Sequence, residues 1–254
     1  MKILVLRFSS IGDIVLTSPV LRCLKQQVKG AEVHVATKRA FADLVAHSPH
    51  VDKVHALDDD IGALARSLKA EGFDHIVDLH HNLRTARIKR MVGAPATSFA
   101  KLNIEKWLLV NLRMDRLPRI HIVDRYMDTV KHLCVTNDMR GLDLFIPKDR
   151  EVDLNTLPET HRSGYVALAI GAAHATKRLP LFKLIELAQR IEGPLILIGG
   201  PDDQEVARSI ADAVGARAFD ATGKFDLLGS ASLIRQARSV IAHDSGAMHV
   251  ACAF

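Results

Sequence analysis

The sequence alternates short β-branched or leucine-rich runs with longer stretches of helical periodicity, and this alternation restricts the fold more than any other feature. In the first part, the apolar runs cover 2–8, 31–37, 51–57 and 73–80, and helical patterns follow at 13–28, 39–47, 60–71 and 82–92. Such alternation is typical of βαβ units, in which parallel strands form one sheet. The first part is therefore predicted to be a Rossmann-like domain.

The alternation stops and then restarts. Between the first and the second series of strand and helix patterns, "FIPKDREVDLNTLPETHRSG" at 145–164 has two prolines and many charges without clean periodicity, which is typical of a linker. Later strands are predicted at 165–171, 194–200 and 239–244, with helices at 180–191, 203–214, 225–236 and from 245. We predict an α/β chain with domains at 1–150 and 164–254 and a linker at 151–163. Because the last helix has barely begun at Phe254, we expect the native chain to be longer.

The charge balance favours an anionic partner. The 254 residues carry a formal net charge of +5, with a pI near 9.2. A nucleotide, a phosphorylated glycolipid, a membrane face and nucleic acid all satisfy that sign. Nucleic acid is disfavoured because only 5% of residues are aromatic and none are interleaved with the basic clusters.

The cysteines and the amino terminus point to a cytoplasmic protein. Cys23, Cys134 and Cys252 are far apart and odd in number, which predicts neither a disulfide framework nor a zinc site. The apolar part of "MKILVLRF" is too short for a signal peptide. No run approaches the roughly 20 apolar residues of a membrane span.

The stretch "SSIGD" at 9–13 lies where the first predicted strand meets a helix. Small residues such as Ser10 and Gly12 let a backbone pass close to a ligand. Asp13, in the first helical turn, has two compatible interpretations. One is a helix cap. The other is a general base at the carboxyl edge of a sheet, where open α/β folds bind ligands.

Two glycine-bearing loops in the second half are candidates for nucleotide binding. "AIGAAHATKRLP" at 169–180 leaves room for a ligand, and Lys177 supplies charge for phosphates, although a solvated basic loop is equally compatible. In "LIGGPDDQEVA" at 197–207, Gly199 permits close backbone approach, and Asp202 is either a ribose ligand or a helix cap.

The stretch "HDSGAMHVACA" at 243–253 places Asp244, Ser245 and Gly246 where a strand turns into a helix. Free backbone N–H groups there suit a diphosphate, with His249 about one turn further on. The alternative is that Asp244 or Ser245 caps the helix and His249 packs. No stretch matches the dinucleotide GxGxxG pattern or the P-loop.

A basic segment follows the fourth predicted strand. "HHNLRTARIKRM" at 80–91 contains Arg84, Arg87 and Lys89, and "KLNIEKW" follows at 101–107. A solvated helix face is the usual explanation of such a segment, and a groove for a phosphorylated or acidic acceptor is the alternative. The adjacent histidines lack i, i+4 spacing, so no metal is inferred.

Taken together, these stretches resemble glycosyltransferase family 9, the ADP-heptose:lipopolysaccharide heptosyltransferases. The resemblance covers the whole chain and depends most on "SSIGDIVLTSPVL" at the start and "TGKFDLLGSASLIRQARSVIAHDSGAMHVACA" at the end. It implies a GT-B fold with two facing Rossmann-like domains. The amino-terminal domain would bind the acceptor and the carboxyl-terminal domain the nucleotide sugar.

The resemblance also implies an inverting, metal-independent transfer of heptose or a related sugar. The donor would be ADP-heptose, and the acceptor a lipopolysaccharide core or another acidic or phosphorylated cell-envelope glycolipid at the cytoplasmic face of the inner membrane. Asp13 would be the catalytic base, and Lys177 would neutralise the departing diphosphate. The donor-binding residues would be Gly12, Thr176, Lys177, Asp202, Asp244, Ser245, Gly246 and His249, and the acceptor-binding residues Ser10, Arg84, Arg87 and Lys89.

Two other functions fit a pair of Rossmann-like domains. A nucleotide-sugar epimerase or phosphorylase would convert the donor without a glycan acceptor. A non-catalytic nucleotide-binding or membrane-associated protein would keep the fold with a degenerate site, although the presence of both Asp13 and Lys177 argues against it.

Overall fold

The computed structural model describes residues 1–254, which divide into two compact units, Met1–Leu142 and Asp143–Phe254. Each unit contains one parallel sheet with helices in the crossovers. The prediction of two parallel-sheet α/β domains is therefore confirmed. No helix combines the length and apolar character needed to cross a membrane.

The first unit has a five-stranded sheet in the order β3-β2-β1-β4-β5. Its strands are β1 (Lys2–Leu6), β2 (Glu32–Lys38), β3 (Lys53–Leu57), β4 (His75–Asp78) and β5 (Ala96–Ser98). Its helices are α1 (Ile11–Val15), α2 (Ser18–Gln27), α3 (Asp43–Ala46), α4 (Ile61–Ala70), α5 (Leu83–Val92), α6 (Asn103–Leu112) and α7 (Ile122–Met127), with 3₁₀ turns at Arg39–Phe41 and Asp128–Leu133.

The continuous apolar run of β1 reflects burial on both faces of the sheet. Four successive residues, Ile3 to Leu6, are fully buried. On one face, Leu4 and Leu6 share a core with residues of α4 and α5, including Leu68 and Ile88. Full burial of each such side chain contributes about 1.5–3 kcal/mol, so the central strand fixes the position of the loop that follows it.

The predicted helix at 13–28 is two helices, α1 and α2. The break falls at Leu16 and Thr17, where the Thr17 hydroxyl donates to the Ile14 carbonyl at 2.7 Å. Pro19 then occupies the first turn of α2, where its missing N–H costs no hydrogen bond. The short α1 keeps Asp13 close to the end of β1.

The second unit has a four-stranded sheet in the order β8-β7-β6-β9. Its strands are β6 (Val166–Ala169), β7 (Leu195–Ile198), β8 (Ala218–Asp220) and β9 (Ser239–Ala242). Its helices are α8 (Glu159–Arg162), α9 (Leu181–Arg190), α10 (Gln204–Val214), α11 (Leu227–Gln236) and α12 (Gly246–Ala251), with 3₁₀ turns at Lys148–Arg150, Leu154–Thr156, Ala175–Lys177, Pro201–Asp203 and Gly215–Arg217.

Residues 151–163, predicted as a linker, lie within the second unit. The Val152 N–H donates to Ser232 Oγ at 2.9 Å. His161 of α8 is fully buried, and its Nε2 donates to the Leu195 carbonyl at 3.0 Å. The assignment of acceptor binding to one domain and donor binding to the other stays a prediction.

Each sheet has one point at which the strand order reverses. In the first unit it lies between β1 and β4, and in the second between β6 and β9. Parallel α/β sheets bind ligands beyond the carboxyl ends of the strands at such a point. The loops after these four strands are therefore where functional side chains are expected.

Candidate functional site

Asp13 is held by three contacts to a single oxygen. Its Oδ2 lies 2.6 Å from Arg7 Nη2 and 3.1 Å from both the backbone nitrogen and the hydroxyl of Ser10. The Ser10 contact is a helix-capping bond, so the cap interpretation of Asp13 describes part of its geometry. Oδ1 makes no hydrogen bond, and 38% of the side chain is exposed. One oxygen is thus fixed while the other is free to receive a proton.

Arg7 is the buried anchor of this arrangement. Its Nε donates to the Ser9 carbonyl at 2.7 Å, and its Nη1 donates to the Leu79 carbonyl and, at 2.9 Å, to the Tyr126 hydroxyl. Burial raises the pKa of Tyr126 to about 12, so the phenol stays neutral. Arg7 therefore connects the loop after β1, the loop after β4 and α7.

His80 lies in the loop after β4. The buried carboxylate of Asp78 accepts bonds from the backbone N–H groups of His80 and His81 at 3.1 and 2.7 Å, which shapes this loop. Burial, reinforced by the charge of Arg7, lowers the pKa of His80 to about 4. The ring is therefore a neutral imidazole at neutral pH. Its Nδ1 is buried and has no hydrogen-bond partner.

These side chains line a cavity of about 280 Å³ in the first unit. Its walls are formed by Arg7, Asp13, His80, Phe99, Lys101, Asn103, Lys106, Ile122, Arg125 and Tyr126. Arginines and lysines outnumber carboxylates on this wall four to one. The cavity is therefore suited to an anionic ligand whose hydroxyl can reach Asp13.

Of the predicted acceptor residues, Ser10 contacts Asp13 directly, whereas Arg84, Arg87 and Lys89 do not line the cavity. The Arg84 guanidinium lies 6.0 Å from the centre of the Phe8 ring. Lys89 forms a 2.8 Å ion pair with buried Asp78 and donates to Ser98 Oγ. Their roles in acceptor binding stay predictions.

Several cavity residues were not identified from the sequence. Lys101 and Lys106 fall in "KLNIEKW", which followed the predicted basic segment, but Arg7, Arg125 and Tyr126 were missed. The available signal for Arg7 was a charged residue directly after a fully apolar strand. Arg125 and Tyr126 had none, because their proximity to Arg7 arises only from the tertiary fold.

In the second unit, the structure brings Lys177 and Asp244 together. Lys177 ends a 3₁₀ turn after β6, Asp244 directly follows β9, and Lys177 Nζ lies 2.7 Å from Asp244 Oδ2. The hydrogen bond from Lys177 lowers the pKa of Asp244 below its ordinary value. This exposed pair lies where the strand order reverses, as Asp13 does in the first unit.

The residues around this pair include unpartnered polar atoms. Ser245 precedes α12, and its Oγ is buried without a hydrogen bond. His243 Nε2 accepts from the Leu179 N–H at 3.1 Å, while its Nδ1 is buried and unpartnered. Gly246 and His249 belong to α12, and Thr176 lies in the turn beside Lys177.

The glycines of the two candidate loops are required by a neighbouring carboxylate. A Cβ on Gly171 would lie 2.2 Å from Asp203 Oδ2, and one on Gly199 would lie 2.9 Å from the same atom. Asp203 is buried and accepts from the Gly200 N–H at 2.9 Å. Packing of Asp203 therefore explains glycine at both positions. Asp202, the predicted ribose ligand, is exposed and makes no hydrogen bond.

One further group of side chains has the chemistry of a metal site. Ligand atoms of His34, His55 and Glu71 lie within 4.8 Å of one another. His34 Nδ1 and His55 Nε2 are 3.0 Å apart, and the Glu71 carboxylate pairs with Lys2 at 2.6 Å and also with Lys53. None of them lines the cavity. Protein partners satisfy all three, so the group is a hydrogen-bonded support of the sheet.

Residues 61–254 match the family model for glycosyltransferase family 9 (heptosyltransferase). The whole chain aligns at 23% identity with lipopolysaccharide heptosyltransferase 1 of Campylobacter coli and covers 81% of that protein. The structure of a family 9 glycosyltransferase from Veillonella parvula aligns with 99% of this chain, and the alignment covers 77% of that protein, with a TM-score of 0.80 and 24% identity. The structure of E. coli ADP-heptose LPS heptosyltransferase II matches the whole chain and is covered to 82%, with a TM-score of 0.80 and 21% identity.

Proposed function

The chain belongs to glycosyltransferase family 9, the heptosyltransferase family, and from that premise we propose that it transfers heptose from ADP-heptose to a lipopolysaccharide core acceptor. The names of its relatives support both the donor and the acceptor class. The observation that carries the proposal is Asp13, held on one oxygen by buried Arg7 at a cavity lined with cations.

Acceptor activation is the task of Asp13. Its Oδ2 is fixed by Arg7 and Ser10, so Oδ1 accepts the proton as the acceptor hydroxyl oxygen forms a bond to the anomeric carbon. Attack from the face opposite the leaving group inverts that carbon. A positioned general base contributes about 10²–10⁴-fold to the rate. Neutral His80 adds a polar atom to the cavity without adding a competing charge.

Departure of the ADP diphosphate is the task of the second unit. The bond from the anomeric carbon to the diphosphate oxygen breaks, and the Lys177 ammonium neutralises the charge that develops on that oxygen. In the structure this ammonium is paired with Asp244. An incoming diphosphate would replace Asp244 as the partner of the Lys177 ammonium, and the Asp244 carboxylate would then accept a hydrogen bond from a sugar hydroxyl. A lysine performs this neutralisation without a metal ion.

The rest of the donor pocket follows from the same loops. Ser245 Oγ and His243 Nδ1 are buried polar atoms without partners, and a bound donor would supply them. Gly246, His249, Thr176 and Gly12 complete the proposed donor-binding set. Asp202 is the proposed ribose contact.

The acceptor is proposed to be anionic. Lys101, Lys106 and Arg125 line the cavity beside Asp13, and phosphate or acidic sugar groups of an inner-core glycolipid match that charge. Arg84 and Arg87 on α5 provide further positive charge for the same glycolipid, and Lys89 supports the loop through Asp78. Such an acceptor places the enzyme at the cytoplasmic face of the inner membrane.

The proposal is tested by acceptor-dependent release of ADP. The protein is incubated with ADP-heptose, UDP-glucose or GDP-mannose, each with and without a lipopolysaccharide acceptor that lacks heptose. We expect ADP release only when ADP-heptose and the acceptor are both present. Release without an acceptor would indicate a phosphorylase or hydrolase, and turnover only of a UDP- or GDP-sugar would discard heptose as the sugar.

A further inference from the structure

Helix α6 (Asn103–Leu112) is exposed although its sequence is mostly apolar. None of its residues is buried, and Ile104, Trp107 and Val110 are 73%, 57% and 77% exposed. A helix of ten residues without tertiary packing is marginal in water. A helix with apolar residues around most of its circumference is normally covered. This helix therefore has a surface that something else must cover.

The segment after α6 continues the apolar surface and adds positive charge. Leu112 is 54% exposed, and Arg113, Arg116 and Arg119 follow within seven residues. None of these arginines makes a salt bridge or a side-chain hydrogen bond. The α6 surface is defined here as the exposed residues Ile104, Trp107, Val110, Leu112, Arg113, Arg116 and Arg119.

Exposed aliphatic residues beside a tryptophan and several arginines match the chemistry of a bilayer interface with anionic headgroups. The apolar side chains enter the boundary between headgroups and acyl chains, tryptophan prefers that depth, and the arginines pair with phosphates. A second copy fits less well. A symmetric dimer through this surface would gather the arginines of both copies in one interface, where like charges repel.

The same helix also contributes to the cavity. Asn103 and Lys106 of α6 line it, as does Lys101 just before the helix, and Trp107 directly follows Lys106 in the sequence. We propose that the α6 surface docks on an anionic phospholipid bilayer and so brings the cavity to the headgroup region. The docking proposal is supported by the α6 surface alone. Only the delivery of a membrane-anchored acceptor to Asp13 depends on the proposed function.

The chain contains its own reporter of docking. Trp107 is its only tryptophan, so its fluorescence reports solely on α6. Full-length protein is titrated with vesicles of phosphatidylethanolamine and phosphatidylglycerol, without glycolipid or nucleotide sugar, and with vesicles of phosphatidylcholine alone. We expect a blue shift of the emission, quenching by brominated lipid, and co-sedimentation with the anionic vesicles only.

Variants separate the apolar and charged parts of the surface. Ile104→Ser with Val110→Ser should weaken vesicle binding at least tenfold, because each substitution removes apolar area that would be buried. Arg113→Gln with Arg116→Gln should weaken vesicle binding about 25-fold at low ionic strength, from roughly fivefold for each basic residue. Phe182→Ser is the matched control, since Phe182 is a 65% exposed aromatic residue in the second unit.

Three outcomes would overturn the docking proposal. They are an unchanged Trp107 emission with anionic vesicles, equal binding to phosphatidylcholine, and a dimer in sedimentation velocity that the Ile104→Ser and Val110→Ser changes dissociate. Turnover on a water-soluble acceptor without acyl chains separates docking from transfer. The α6 variants should keep that turnover, whereas failure of the wild-type protein on it would count against the proposed function only.

Discussion

Replacing Arg7 by methionine should destabilise the first unit and disable Asp13 together. The substitution keeps most of the side-chain volume but removes the donors to the Ser9 and Leu79 carbonyls, the Tyr126 hydroxyl and the Asp13 carboxylate. A hydrogen bond from a charged donor is worth about 1.5 kcal/mol or more. The Asp13 ion pair adds at most about 1 kcal/mol, because it is partly exposed. The expected loss in the free energy of unfolding is roughly 5 kcal/mol.

Turnover should fall further than stability alone explains. Without Arg7, Asp13 keeps only its bonds to Ser10, and a carboxylate displaced by about 1 Å costs roughly 10²-fold in rate. The assay is acceptor-dependent ADP release at a temperature where urea unfolding shows the variant to be folded. Arg7→Lys retains the charge without the planar fork and gives a milder version of both effects.

Arg22 provides the matched control. It is equally buried in the first unit and pairs with both oxygens of Asp138 at 2.7 Å. Arg22→Met should lose a similar free energy of unfolding, roughly 3–5 kcal/mol, but it does not line the cavity and should keep its turnover while folded. Equal losses of turnover in the two variants, or an Arg7→Met protein with wild-type turnover, would refute the anchoring role of Arg7.

Three further predictions concern the donor, the acceptor and pH. Lys177→Ala should weaken ADP binding about tenfold or more by calorimetry, whereas Lys183→Ala, which removes a similarly exposed lysine of α9, should leave it unchanged. Lys106→Gln should raise the KM for an anionic acceptor about tenfold with little change in kcat; a fall in kcat alone would contradict a binding role. Burial, reinforced by the charge of His34, lowers the pKa of His55 to about 4. Between pH 6.5 and 4, His55 therefore binds a proton in the unfolded chain but not in the folded chain. The free energy of unfolding should therefore fall as pH drops through that range, by about 2 kcal/mol at pH 5. His55→Gln should reduce this loss, as measured by urea unfolding at pH 7 and pH 5. An equal loss of unfolding free energy in the wild type and the variant would contradict the prediction.

The parallel-sheet architecture was predictable because burial on both faces leaves a direct mark in the sequence. β1 and β7 are continuous apolar runs, whereas β5 and β8 were missed because each contains only three residues, with no apolar run to mark it. The end of β1 is a position that this pattern fixes, so Asp13 could be placed at the carboxyl edge of the sheet from the sequence.

Other parts of the site depend on contacts between distant residues. Arg7 and Tyr126 are 119 positions apart, and no local pattern joins them. Adjacent Asp202 and Asp203 look equivalent in sequence, yet the space left by Gly171 and Gly199 selects Asp203 for burial. Likewise, the sequence alone suggests a solvent-exposed cation at Lys89, whereas in the structure Lys89 forms an ion pair with the buried carboxylate of Asp78.

The measurement that tests the account most directly compares Asp13→Asn with the wild-type protein. The substitution keeps size and hydrogen bonding but removes the basic oxygen, so the affinity for ADP should stay within about twofold while acceptor-dependent ADP release falls by about 10²–10⁴-fold. A variant that binds ADP normally and turns over within tenfold of wild type would contradict the assignment of Asp13 as the base.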